Sequence, residues 1–237
     1  MITPPLTNMT KTRKLAGLVL KQRRCTFCNW VGFRFLPFGN EMVHRDDAQC
    51  PVCGSLERHR GAYLLLKNKI SPKHRVLHVA PEPLLVPWLI SLSSEYLSVD
   101  LYNQAMRRMD IMNIELPDSS RTLIWCSHVL EHVADDRKVL SEFFRVLEPG
   151  GILVLQVPVS GAKTMEDSSL TTDAQRLKAF LQEDHVRLYG LDLAKRIEAA
   201  GFECEVLSTA NLPLSDQTLY SLNTPFFREV FFCRKPA

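Results

Sequence analysis

Thr122-Leu-Ile-Trp-Cys-Ser127, the run from Asp135 to Leu147, and Pro149-Gly-Gly-Ile-Leu-Val-Leu-Gln-Val157 together decide the fold class. The first is a short, almost wholly apolar segment of strand length. In the second, Val139, Leu140, Phe143, Phe144 and Leu147 recur at the spacing that places them on one face of a helix. Pro149-Gly150-Gly151 stops that helix, and Ile152 to Val157 is an apolar run suited to a strand covered on both faces. A strand, a helix and a strand in this order imply a parallel crossover.

The same alternation extends in both directions. Upstream, Arg75 to Ala80 reads as a buried strand, Leu84 to Leu92 as an apolar helix, Glu95-Tyr-Leu-Ser-Val-Asp100 as a second strand ending in an acid, and Met109 to Ile111 as a short third. Downstream, Leu191 to Ala200 is a helix closed by Gly201, and Gly201 to Leu207 and Phe226 to Cys233 are the last two strands. The expectation is an α/β fold over residues 75–237, a Rossmann-like seven-stranded sheet with helices on both faces.

The chain before it is different in kind. Cys25-Thr-Phe-Cys28 and Cys50-Pro-Val-Cys53 are separated by 21 residues, a spacing that lets two tight turns present four thiolates to one tetrahedral ion. A single structural zinc on Cys25, Cys28, Cys50 and Cys53 is expected, with no open position for catalysis. Trp30 to Phe35 alternates like a short strand, and Phe27, Trp30, Phe33, Phe35 and Phe38 are available to cover the metal. This gives a zinc ribbon and connecting helix over 25–74, behind a basic segment at 1–24. Cys126, Cys204 and Cys233 are scattered singly through apolar segments, as core residues are.

The net charge of +3 divides unevenly: residues 1–75 hold 14 basic and 4 acidic side chains, net +10, which leaves 15 and 22, net −7, to the rest. An anionic partner at the N-terminal third, nucleic acid included, stays open beside the reading as a solvated basic surface. The apolar stretch Leu15 to Leu20 is six residues long, too short for a membrane span, and a cytoplasmic protein is expected.

Val129-Leu-Glu-His-Val133, Phe143-Phe-Arg-Val-Leu-Glu-Pro-Gly-Gly-Ile-Leu-Val154 and Ala199-Ala-Gly-Phe202 resemble the second half of the class I S-adenosylmethionine (SAM)-dependent methyltransferases of the type 11 group. The resemblance covers about residues 75–233 and implies a reversed seventh strand. It also implies a cofactor site at the carboxyl ends of the strands. Asp100, followed by Leu101, would hold the SAM ribose, Asp110 the adenine amino group with Ile111 against the ring, and Ser127 and His128 would flank the methionine part. The first strand departs from the family: in place of an acid and a glycine-rich loop it reads His78-Val-Ala80-Pro-Glu82-Pro, with Glu82 available to the methionine amino group. This loop, with the cysteine pairs and Cys53-Gly-Ser-Leu-Glu-Arg-His-Arg60, resembles a methyltransferase subgroup.

Methyl transfer from a sulfonium needs an aligned nucleophile, a base where the acceptor carries a proton, and exclusion of water. His185 is the first candidate for base or acceptor ligand and His128 the second, with Arg187 and Tyr189 beside the acceptor. Arg58, His59 and Arg60 would grip an anionic acceptor or cap the zinc thiolates. The polar stretch from Ser160 to Gln182 reads as a lid. A small-molecule methyltransferase acting on a hydroxyl, amine or carboxylate leads. An RNA methyltransferase docking through the basic ribbon and a non-catalytic scaffold are the alternatives.

Overall fold

The structure, a computed structural model, describes residues 22–102 and 105–237. Most of the basic segment expected at 1–24 lies outside them. The chain begins with two small antiparallel hairpins, β1 (Arg23–Arg24) with β2 (Val31–Gly32) and β3 (Leu36–Phe38) with β4 (Arg45–Gln49). α1 (Glu57–Leu66) leads into the main body. There follow β5 (His74–Val79), α2 (Val86–Ser91), β6 (Ser93–Asp100), β7 (Arg107–Arg108), β8 (Arg121–Ser127), α3 (Asp136–Val146), β9 (Leu147–Gln156), β10 (Met165–Glu166), α4 (Asp173–Phe180), β11 (Arg187–Leu188), α5 (Leu193–Ala199), β12 (Glu203–Ser208), α6 (Leu214–Leu219) and β13 (Glu229–Arg234).

Seven strands form one sheet in the order β12-β13-β9-β8-β5-β6-β7. The β9-β8-β5-β6-β7 portion is parallel, and β13 runs antiparallel between β9 and β12, the reversed last strand that the sequence resemblance implies. Each sheet face carries its own core. On one, Val139, Leu140 and Phe143 of α3 and Leu193 and Ile197 of α5 pack with Leu77, Ile124 and Leu153. On the other, Ala62 and Leu66 of α1 and Leu89 of α2 pack with Val76, Trp125 and Val154. Burying one such side chain contributes about 1.5–3 kcal/mol, so the alternation of apolar runs and amphipathic helices suffices to drive this layering.

Four expectations change. The third strand is Arg107–Arg108, not Met109 to Ile111; the Met109 N–H still donates to the Asp100 carbonyl, but the chain then turns at Ile111, and both apolar side chains are buried. Phe33 and Phe38 are exposed and do not cover the cysteines, because the Val31–Gly32 strand is too short to set the expected alternation; Phe35, Phe27 and Trp30 do that work. Cys204 and Cys233 are not isolated: they face each other across β12 and β13 with their sulfurs 3.1 Å apart. Within the polar stretch from Ser160 to Gln182, β10 pairs with β11, and α4 is capped by Thr172 and buries Phe180 completely. Among the described residues no helix is long and apolar enough to cross a membrane.

Candidate active site and cysteine centre

The carboxyl ends of β5, β6 and β8 and the turn after β7 enclose a cavity of about 540 Å³. Ala80 follows β5, Asp100 ends β6 with Leu101 after it, and His128 and Val129 follow β8, with Asp110 and Ile111 from the turn after β7. Six of the residues expected to bind the cofactor, Ala80, Asp100, Leu101, Asp110, Ile111 and His128, line it together. The glycine-free loop reaches this position by an unusual backbone: Ala80 adopts φ +46° while its N–H donates to the Val99 carbonyl at 2.8 Å. Left-handed backbone at an alanine costs about 1–2 kcal/mol. His128, at the end of β8, is also left-handed at φ +54° and its N–H is tied to the Gln156 carbonyl. Strain of this kind gathers where a site over-determines the chain.

His78, Glu82 and Ser127 are not among the lining residues. His78 is buried in β5, where Tyr96 Oη lies 2.8 Å from its Nδ1, and burial pulls its pKa down to about 4. Glu82 faces α1: Arg58 donates to its Oε1 at 2.8 Å and His59 Nε2 donates at 2.6 Å. The Leu56 N–H donates to His59 Nδ1, so that imidazole carries its proton on Nε2 and is neutral, in keeping with the downward shift that burial gives it. Burial opposes ionisation of Glu82, but the His59 hydrogen bond and the Arg58 charge outweigh it and hold the carboxyl well below its usual range. Arg58 and His59 are thus committed to Glu82, although Arg58 also lines the second cavity described next. Ser127 Oγ and Glu82 Oε2 are buried without a hydrogen-bond partner among the described residues.

A second cavity, of about 320 Å³, adjoins the first, and His128 and His132 line both. Besides Arg58, Pro158 and the turn from His128 to His132, three parts of the chain supply its walls. The β3–β4 hairpin supplies Phe38 to Asn40, Val43 and Arg45; the segment before β13 supplies Phe226 and Phe227; and Phe180, Leu181, Gln182 and His185 close it. Glu131, 1% exposed, holds His128 Nδ1 at 3.2 Å, which leaves Nε2 of His128 as the lone-pair nitrogen. Burial works against ionisation of Glu131, yet the His128 interaction keeps its pKa below the ordinary value. His185 is 2% exposed and burial lowers its pKa.

Sequence reasoning missed the hairpin and the two phenylalanines. One signal was present in Pro37-Phe-Gly39-Asn40, which is turn chemistry: Gly39 has φ +124°, and a Cβ there would stand 1.9 Å from the Val43 carbonyl oxygen. Conversely, Arg187 and Tyr189, expected beside the acceptor, line neither cavity. Arg187 donates to the carbonyls of Leu130, Val133 and Ala134, and Tyr189 donates to Asp136 at 2.9 Å. Both are buried, and they brace the turn that carries Glu131 and His132.

Cys25 and Cys53 have their sulfurs 3.5 Å apart, Cys28 and Cys50 3.6 Å, and all four lie within 4.8 Å of one another. A tetrahedral zinc–thiolate shell spaces its sulfurs by about 3.8 Å, so the four residues fit one such ion. Ser55 Oγ lies 3.1 Å from Cys25 and the Phe27 N–H donates to the same sulfur. Arg60, expected either on an anionic acceptor or on the thiolates, is fully buried on the cysteine side. It stacks 3.8 Å over Phe35 and donates to the carbonyls of Ala48, Ser55 and Tyr220.

Residues 85–155 match the family of methyltransferase domains. A protein of Mycolicibacterium smegmatis named "Probable S-adenosylmethionine-dependent methyltransferase" is 32% identical over 101 residues, which are 42% of this chain and 35% of that protein. The chain therefore spans about a third of the length of the curated relative it matches. Among solved structures, the fold is similar to an S-adenosylmethionine-dependent methyltransferase of Mesorhizobium loti (TM-score 0.54, 16% identity, 75% of this chain and 99% of that one). It is also similar to the 1,6-didemethyltoxoflavin-N1-methyltransferase of Burkholderia thailandensis, solved with 1,6-didemethyltoxoflavin and S-adenosylhomocysteine (TM-score 0.53, 13% identity, 76% and 79%). At these identities the likeness is one of fold.

Proposed function

We propose that this chain, which carries a class I SAM-dependent methyltransferase domain, is an enzyme that methylates a hydroxyl, amine or carboxylate of a small molecule. The observation that carries the reading is the meeting of the two cavities at His128. One is lined by the strand-end carboxylates Asp100 and Asp110, and the other is built from aromatic and histidine side chains. SAM supplies an electrophilic methyl group on its sulfonium. Asp100 accepts from the ribose diol, and Asp110 with Ile111 receives the adenine. His128 is the base: Glu131 fixes the proton on Nδ1, so Nε2 takes the proton from an acceptor lying in the smaller cavity. Phe226, Phe227 and the β3–β4 hairpin exclude water from the line of transfer. Zinc on Cys25, Cys28, Cys50 and Cys53 is structural and holds that hairpin. That the Burkholderia enzyme of this fold is solved with a small heterocyclic molecule supports an acceptor of similar scale.

The RNA alternative loses ground because four arginines of the ribbon and α1 are engaged internally, although Arg24 and Arg34 are exposed. Arg23 pairs with Asp47, Arg45 with Glu57 and Arg58 with Glu82, and Arg60 serves backbone carbonyls. Calorimetric titration of the zinc-loaded protein with SAM and S-adenosylhomocysteine tests the proposal. Micromolar binding that Asp100→Ala abolishes is expected. No heat up to millimolar ligand would sink the enzyme reading and favour the scaffold.

A further inference from the structure

We infer that Glu131, His132 and His185 form a second metal site, separate from the four cysteines, which takes a divalent first-row transition ion at the wall of the smaller cavity. One ligand atom from each residue lies within 4.8 Å of the others, and all three residues line that cavity. Two imidazoles and one carboxylate are a donor set that suits such ions and leaves coordination positions open. Atoms sharing one ion stand about 3–3.4 Å apart, so the set must draw in by an ångström or so on binding.

Two further observations point to a ligand. His185 Nε2 and Glu131 Oε2 are buried and have no hydrogen-bond partner among the described residues. Leaving two such atoms unsatisfied costs about 1–3 kcal/mol each, a penalty an ion between them removes. The imidazoles are also set in the way metal-binding histidines are. Nδ1 of His185 is 3.0 Å from the Phe180 carbonyl and must donate to it, which makes Nε2 the lone-pair atom. Nδ1 of His132 lies 3.1 Å from the Asp184 carboxylate. A carbonyl or carboxylate on the far nitrogen fixes the tautomer and raises the basicity of the other. The backbone fixes the spacing: Glu131 and His132 share the 3-10 turn Leu130–His132, and the Val186 N–H donates to the Glu131 carbonyl at 2.9 Å. The two arginines that line the cavity do not oppose a cation strongly, since Arg45 is paired with Glu57 and Arg58 with Glu82.

The open positions face the smaller cavity, so the ion would hold a group with two neighbouring oxygens, a chelating acceptor. This consequence rests on the methyltransferase reading, whereas the site itself does not.

Protein with zinc in the four-cysteine site is dialysed against Co²⁺ and its metal content and visible spectrum are measured. One cobalt per chain is expected in addition to one zinc, with the weak bands of nitrogen and oxygen ligands and no thiolate-to-cobalt charge transfer. His132→Ala, at a half-exposed position, and His185→Gln should each weaken cobalt binding at least about tenfold. Zinc should stay at one per chain and the thermal unfolding midpoint should stay close to the parent's in both, which shows that the ribbon and the sheet are intact. Acetohydroxamate, a bidentate oxygen chelator, should shift the cobalt bands. No cobalt at millimolar metal, or cobalt held equally by both variants, overturns the site; an unchanged spectrum with acetohydroxamate overturns its open positions. Cobalt binding without SAM binding would sink the methyltransferase reading and leave the site standing.

Discussion

Arg60→Met tests whether the cysteine module and the sheet form one cooperative unit. The guanidinium is fully buried, and burial pulls its pKa down only to about 10, so it is charged at neutral pH. It donates to Ala48 and Ser55 of the ribbon and to Tyr220 beside α6. Ser55 keeps a second donor in the Cys50 N–H, so methionine orphans chiefly the carbonyls of Ala48 and Tyr220. Each orphaned carbonyl costs about 1–3 kcal/mol. Methionine also removes a cation attracted by Cys25 and Cys50, whose metal-bound thiolates would be anionic. Relief of the guanidinium's own desolvation offsets part of this, so the net loss should be about 3 kcal/mol, or roughly a hundredfold in the folding equilibrium. Urea unfolding, read by linear extrapolation, and zinc release to a chromogenic chelator are the assays. Zinc should leave at lower urea than in the parent protein. A loss under about 1 kcal/mol with unchanged zinc release would refute the idea that Arg60 couples the two parts.

Stability should fall as pH drops from about 6.5, where an unfolded histidine titrates, to about 4, the value burial gives His78, because only the unfolded chain binds that proton in this window. His78 accounts for up to about 3 kcal/mol of the fall, so urea unfolding of His78→Gln should show a shallower decline; an equal decline in both proteins would refute the assignment. Ala80→Gly should be neutral to stabilising by about 0.5 kcal/mol in thermal unfolding, since relief of the left-handed backbone slightly exceeds glycine's entropy cost. Ala80→Val should destabilise, and a stable valine variant would show that the turn is not constrained. Gly39→Ala should displace the β3–β4 hairpin and change acceptor turnover while the calorimetric SAM affinity stays as it was; loss of SAM binding would mean that the two cavities are not separable.

The sheet was legible because its signals are local. The apolar runs of β5, β8 and β9, the one-sided α3 and the Pro149-Gly-Gly stop each announce an element within a dozen residues. The four cysteines were legible for the same reason. The short edge strand misled because Met109 makes its last bond, to the Asp100 carbonyl, and Ile111 is apolar for burial within a turn. What pattern cannot convey is which polar partner a side chain finds across the fold. Arg187 looks like an acceptor ligand until three carbonyls of the Leu130 to Ala134 turn claim it, and Glu82 like a cofactor ligand until Arg58 and His59 do. His128 and His185 were both legible as candidates. Their different settings, one on the Glu131 carboxylate and one on the Phe180 carbonyl, depend on contacts that no spacing encodes.

Arg45 shows how the ribbon reaches the smaller cavity. It pairs with Glu57 at the start of α1, both nearly inaccessible, and stacks 4.3 Å over Phe227 and 5.3 Å over Phe38. One side chain thus fastens the β3–β4 hairpin, α1 and the segment before β13 at the smaller cavity. The larger cavity draws its lining from residues 79–134 and Asp184 and from nothing in the ribbon. If the proposed function holds, the cysteine module is placed to govern which acceptor enters rather than whether the cofactor binds. Arg23, Arg45, Arg58 and Arg60 then need no anionic partner, because their charge is used inward, and two of them, Arg45 and Arg58, help to form the wall of the smaller cavity.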